Sequence, residues 1–120
     1  MEYGANGEVR PVARLDAENA VTVSAILHAL ATPSRLLILA QLREGPLTVS
    51  NLAATIGLKQ PIVSQHLGLL RAVGLVTGTR HGRSVIYSLC DNHVAQLLDE
   101  VAYHSEQLRL GIADRPDATG

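Results

Sequence analysis

Tryptophan and phenylalanine are absent from these 120 residues, three tyrosines are the only other aromatics, and Cys90 is the only cysteine. A single thiol excludes an intrachain disulfide and any Cys-x-x-Cys metal clip, so a metal site in this chain has to use nitrogen and oxygen donors. So few aromatics leave little to line a substrate pocket. The sequence also holds no Ser/His/Asp order, no phosphate-cradling glycine loop and no paired carboxylates placed for acid and base work. An enzyme is not expected. No run approaches the roughly 20 apolar residues of a membrane-spanning helix. The opening MEYGANGEVR lacks the basic-then-apolar order of a signal peptide. The expected location is the cytoplasm, with no membrane partner.

A further absence is local. From Gly45 to Cys90 there is no Asp or Glu, while Lys59, Arg71, Arg80 and Arg83 lie there, so the segment carries +4 within a chain of net charge -1. A polyanion would be drawn to such a segment. By charge alone it is equally a chance gap in a chain with 11 acids, and local pattern has to decide.

Apolar content of 47% in 120 residues is enough for one core. Residues 1–15 and 112–120 mix Gly, Pro and charge without apolar periodicity and read as flexible tails, leaving one domain over 16–111. Asp16 is a plausible cap for a first helix ending near Leu30, with Ala20, Val23, Ile26, Leu27 and Leu30 on one face. Thr32 and Pro33 open a second, apolar almost all round and hence buried, which Gly45 stops. Thr48 caps a short third helix carrying Leu52, Ala53 and Ile56, and Gly57 suits its left-handed end. Pro61 opens a fourth, with Val63, Leu67 and Leu70 inward, and Gly74 ends it. LVTGTR and RSVIYSL then read as two strands of a hairpin, separated by His81 and Gly82. Asp91 caps a long fifth helix from Asn92 to about Leu110, with Val94, Leu97, Leu98, Val101 and Leu108 on its apolar stripe. The fold class is mainly α with a small β-hairpin, in the order α-α-α-α-β-β-α.

Leu52, Ala53, Ile56, Gly57, Leu58 and Val63 fall at the spacings of a helix-turn-helix, and the hairpin that follows supplies a wing. Lys59, Gln60, Ser64 and Gln65 stand at the start of the fourth helix, where the dipole favours an anion and where amide and hydroxyl groups suit base edges or phosphates. His66 reads either as a DNA partner or as a packing residue beside Leu67. Arg80, His81 and Arg83 surround the flexible Gly82, which suits a wing touching phosphate or a minor groove and equally a solvated basic turn. The combined segment favours double-stranded DNA.

HALATPSRLLIL, then Ser64, His66 and Leu67 within VSQHLGLL, then GLV and GRSVIYSL, resemble as an ordered set the ArsR/SmtB family of metal-responsive transcriptional regulators. DNHVAQLLDE followed by AYHSEQL resembles its nickel- and cobalt-sensing, NmtR-like branch in particular. The resemblance implies a winged helix-turn-helix that forms a homodimer through its first and last helices. It also implies binding to operator DNA, usually as a repressor, which metal weakens.

The resemblance also implies a metal site on the last helix, from Asp91, His93, His104 and Gln107, for nickel or cobalt in preference to zinc. Taken alone, His93 and His104 read as exposed or interface histidines. At 100° per residue the two project within about 20° of each other but lie roughly 16 Å apart along the axis, so one chain cannot bring both to one ion. Antiparallel pairing of the helix with its copy near Leu98 and Asp99 would set Asp91 and His93 of one chain beside His104 and Gln107 of the other, giving two equivalent sites. Family members carry His-x-x-His where this chain ends in Gln107, and an amide oxygen is a poorer ligand than imidazole for late first-row metals. Glu100, water or the terminal amine could complete the shell. Two alternatives follow: a regulator or activator with a weakened metal site that depends on a partner protein, and a small metal carrier or enzyme.

Overall fold

The computed structural model describes residues 13–111. The tails expected over 1–15 and 112–120 fall almost entirely outside those residues. The elements run α1 (Ala20–Leu30), α2 (Pro33–Glu44), β1 (Leu47–Thr48), α3 (Val49–Ile56), α4 (Gln60–Ala72), β2 (Val76–His81), β3 (Ser84–Leu89) and α5 (Asn92–Arg109). This is a winged helix-turn-helix with one strand more than the hairpin accounts for.

Local chemistry explains the boundaries. Thr32 Oγ1 accepts from the Arg35 amide at 3.3 Å, and Pro33 begins α2 where a missing N–H costs nothing. Thr48 Oγ1 does the same for the Asn51 amide at 3.2 Å and starts α3. At the end of α4, Gly74 takes a left-handed φ of 78°. Its amide reaches Arg71 O at 3.0 Å while the Leu75 amide reaches Leu70 O at 2.9 Å, the paired bonds of a Schellman motif. That turn delivers Leu75 and Val76 into the core at the start of the wing.

The core is built from Ile38, Leu39 and Leu42 of α2, Leu52 and Ala53 of α3, and Val63, Leu67 and Leu70 of α4. Ala29, Leu75, Val76 and Val94 close it. The sheet has the order β1-β3-β2, all antiparallel. Leu47 pairs with Tyr87 and Thr48 with Ile86, so the strand directly before the helix-turn-helix anchors it to the wing. Gly78 lies opposite Tyr87, and a Cβ there would stand 3.0 Å from the tyrosine ring.

Four sequence expectations need correction. Helix α1 begins at Ala20, not directly after Asp16; the Asp16 carboxylate instead accepts from the Glu18 and Asn19 amides, 2.9 and 3.1 Å away, and holds a turn ahead of the helix. The two-residue β1 is too short to show an alternating pattern. The hairpin turn is Gly82–Arg83, because His81 already pairs with Ser84; positive φ occurs only at Gly82, the first turn position, as in a type II′ turn. Finally, α2 is not buried all round. Arg35, Ile38, Leu39 and Leu42 face the core, while Leu36 and Leu37 are 39% and 53% exposed on the other side.

That second side of α2 forms the floor of an apolar groove of about 760 Å³, walled by Leu27 and Leu30 of α1 and by Leu97, Leu98, Val101 and Ala102 of α5. Helix α5 is embedded only at its start. Val94 is its one buried residue, and Val101 and Leu108 of the expected apolar stripe are more than half exposed.

Candidate functional site

The polar start of the second helix of the motif is open to solvent. Lys59 is the N-cap of α4 with no side-chain capping bond, and the first turn carries no acid, so the positive end of the helix dipole is unopposed there. Lys59, Gln60, Ser64 and Gln65 are all exposed, and Gln60 and Ser64, four residues apart, share one face. On the inward side of the helix Val63, Leu67 and Leu70 are fully buried and fix how the polar residues beside them are presented. At the wing, Arg80, His81 and Arg83 are exposed around Gly82, with Arg80 Nη1 donating to Gly82 O at 3.4 Å. Ser50 and Asn51 at the head of α3 are exposed as well and add polar groups that sequence reasoning did not single out.

His66 departs from this set. It is half-buried and turned toward α2, where Arg35 Nη1 lies 3.4 Å from its Nδ1. Burial, and then the Arg35 charge, push its pKa below the usual histidine value.

Arg35 itself was missed. It is a buried guanidinium, 8% exposed, with no acid beside it among the described residues. Its Nε donates to Ala29 O at 2.5 Å and its Nη2 to His28 O at 3.3 Å, so it caps the carbonyl end of α1, where cations are favoured. The available signal was position: Arg35, Ile38, Leu39 and Leu42 form one stripe of α2, with a cation at its head.

The residues proposed for metal fall into two groups on α5. Asp91 Oδ1 accepts from the His93 and Val94 amides at 2.9 and 3.4 Å, and Oδ2 lies 3.4 Å from His93 Nδ1. One carboxylate thus caps the helix and faces the imidazole, and both groups are exposed. His104, exposed, and Gln107, half-buried, lie at the far end of the same helix. Among the described residues no three His, Cys, Asp or Glu side chains come together within one chain. Glu100, between the two groups, is exposed, whereas Glu106, next to Gln107, is engaged by the Arg109 guanidinium, which holds its carboxyl below the usual range. Cys90 is exposed next to Asp91.

Residues 32–77 match the family described as bacterial regulatory protein, arsR family. Over its full 120 residues the chain is 57% identical to the HTH-type transcriptional regulator NmtR of Mycobacterium tuberculosis, all of which is covered. The chain belongs to the ArsR family. Among solved structures, this ArsR protein resembles the solution structure of apo-NmtR, with 56% identity, a TM-score of 0.68, and coverage of 99% of this chain and 100% of that one. It also resembles a homodimeric winged helix-turn-helix DNA-binding domain from Mycobacterium bovis, with 28% identity, a TM-score of 0.70, and coverage of 80% and 92%. Membership assigns the helix-turn-helix of this ArsR chain to transcription regulation. No single helix among the described residues is long and apolar enough to cross a membrane.

Proposed function

We propose that this ArsR protein acts in the cytoplasm as a homodimeric operator-binding regulator, most simply a repressor, whose DNA affinity falls when nickel or cobalt binds between the two copies of α5. The observation that carries the DNA half is the exposed row Lys59, Gln60, Ser64 and Gln65 beside the basic wing tip, on a stretch of chain free of acids. Lys59, Arg80 and Arg83 would bind phosphate and set the register; the amide and hydroxyl side chains would read base edges in the major groove.

Dimer formation is supported by the apolar groove between α1, α2 and α5, where Leu27, Leu36, Leu37 and Val101 stand exposed together on one concave face. A partner's α1 and α5 would cover it.

The donor set fits nickel or cobalt: a carboxylate and imidazoles, with no thiolate to favour softer ions. Asp91 and His93 of one protomer, with His104 and Gln107 of the other, would hold the ion. When bound, the ion would cross-link the two copies of α5. Asp91 could hold its cap through Oδ1 while Oδ2, beside His93, served as the donor. Zinc is the runner-up metal. A second reading, favoured by Gln107 in place of an imidazole, is a regulator that responds weakly to metal and relies on a partner protein.

Selection of duplexes from a random pool, repeated with and without each metal, tests the proposal. Enrichment of one sequence that nickel or cobalt abolishes is the expected result, and His104→Ala is expected to keep the enrichment but lose the response. Identical metal responses in wild type and His104→Ala would sink the sensing assignment. Binding of metal at micromolar affinity or weaker, roughly -8 kcal/mol or less negative, would favour the second reading.

A further inference from the structure

Arg35 joins three helices through one side chain. Two of its nitrogens hold carbonyls of the last turn of α1, its backbone belongs to the first turn of α2, and its third nitrogen reaches His66 in the middle of α4. Arginine donates at every position and accepts at none, so the contact requires an unprotonated His66 Nδ1 and places the ring hydrogen on Nε2. Among the described residues no carboxylate pairs with the guanidinium, and its charge meets oriented dipoles: the carbonyl end of α1 and the imidazole lone pair. His66 is flanked by Gln65 on the exposed reading face and by Leu67 in the core. Its position along and around the α4 axis therefore sets where Ser64 and Gln65 meet the duplex.

We propose that Arg35 and His66 are positioning residues for operator recognition: the pair fixes the reading helix α4 relative to the end of α1, and through it sets the placement of Ser64 and Gln65. This rests on the operator reading of α4 given above. The coupling is one-sided chemically. Arg35 must donate and His66 must accept, so an acceptor at the position of Nδ1 is sufficient and any neutral side chain without one is not. Asparagine supplies that acceptor, because its Oδ1 sits two bonds from Cβ as His Nδ1 does; leucine fills similar space without it.

The test uses the full chain and two fluorescent duplexes, one selected from a random pool by the wild type and one of scrambled sequence. His66→Leu is expected to bind the selected duplex about tenfold more weakly, the size of one hydrogen bond to a charged group. Its affinity for the scrambled duplex should not change, since phosphate attraction through Lys59, Arg80 and Arg83 is untouched. His66→Asn is expected to bind the selected duplex nearly as the wild type does. Arg35→Lys, which keeps the charge but not the three-way fork, is expected to add no further loss in the His66→Leu background, because the two act as one unit. Helix content by circular dichroism separates these effects from misfolding, and the half-buried His66 variants carry the test if Arg35→Lys does not fold. Wild-type selectivity in His66→Leu, equal losses in the Asn and Leu variants, or equal losses on both duplexes would each overturn the proposal. If the wild type enriches no duplex at all, it is the operator reading that has failed, and this one falls with it.

Discussion

Arg43 Nη2 stands 2.7 Å from Asp99 Oδ2, an ion pair that ties the last turn of α2 to the middle of α5 across the mouth of the apolar groove. The hydrogen bond and charge of Asp99 hold Arg43 protonated still more firmly than usual. Both side chains are about half exposed, so salt screens the pair and global stability hardly depends on it. Its effect is local, because Val94 is the only residue of α5 that the chain buries. In protein diluted to the monomer, Asp99→Asn is therefore expected to leave the unfolding midpoint unchanged while raising amide hydrogen exchange in α5 beyond Leu98. The excess exchange should shrink as salt is added, since the wild-type pair weakens too. Unchanged exchange at low salt would show that the pair does not hold the helix.

The packing of α4 is a harder constraint. Leu67 is fully buried one turn along α4 from the exposed Ser64, among core residues of α2, α3 and the wing. Leu67→Ala should cost about 3 to 4 kcal/mol, as lost transfer energy and a cavity combine. Urea unfolding at a fixed protein concentration measures it. A loss below about 1 kcal/mol would mean the neighbouring helices close the gap.

Much of this architecture was legible because its signals are local. Thr32 with Pro33, Thr48, Gly57 and Gly74 mark helix ends by their own chemistry, and the stripe Val63, Leu67, Leu70 marks the inner face of α4. What stayed hidden depends on distant partners. β1 is two residues that become a strand only because β3 lies beside them. Leu36 and Leu37 look like core residues in the sequence, yet face a groove that one chain leaves open. Arg35 reads as a surface cation until the carbonyls of α1 are placed around it. At the proposed metal site the cap and its histidine are neighbours in sequence and were readable as such, whereas pairing with His104 needs a second copy of the chain.

His66 also makes stability depend on pH. Its folded pKa lies below the ordinary histidine value of 6.5, through burial and then the charge of Arg35. Arg35 on α2 is the charged group that faces it, while His28 on α1 contributes only a carbonyl to Arg35. The unfolded chain then binds more protons than the folded one between the two pKa values. Stability is full above about 6.5, falls as pH drops below that value toward the folded pKa, and levels off beneath it. Glu106, lowered by Arg109, acts in a separate window that opens only as pH falls to about 4.5 and below. Urea midpoints from pH 7.5 to 5 should therefore decline in the wild type and decline less in His66→Asn. Parallel profiles would assign the slope to other groups.

Gln107 offers the most direct manipulation of the proposed metal response. It is three residues beyond His104 on α5, so both side chains lie on the same face one turn apart, and neither has an internal hydrogen-bond partner among the described contacts. Replacing its amide with imidazole gives nickel and cobalt a stronger donor without disturbing the cap at Asp91 or the core. Gln107→His should tighten nickel or cobalt binding by more than the roughly tenfold that changes around a ligand shell produce. The same change should lower the metal concentration that releases a selected duplex. Zinc affinity should rise as well, so the informative quantity is the ratio between metals. Titration of wild type and Gln107→His, with operator release followed in parallel, measures both. If the substitution leaves affinity unchanged, position 107 does not face the ion and the fourth donor comes from elsewhere, with Glu100 the next residue to replace.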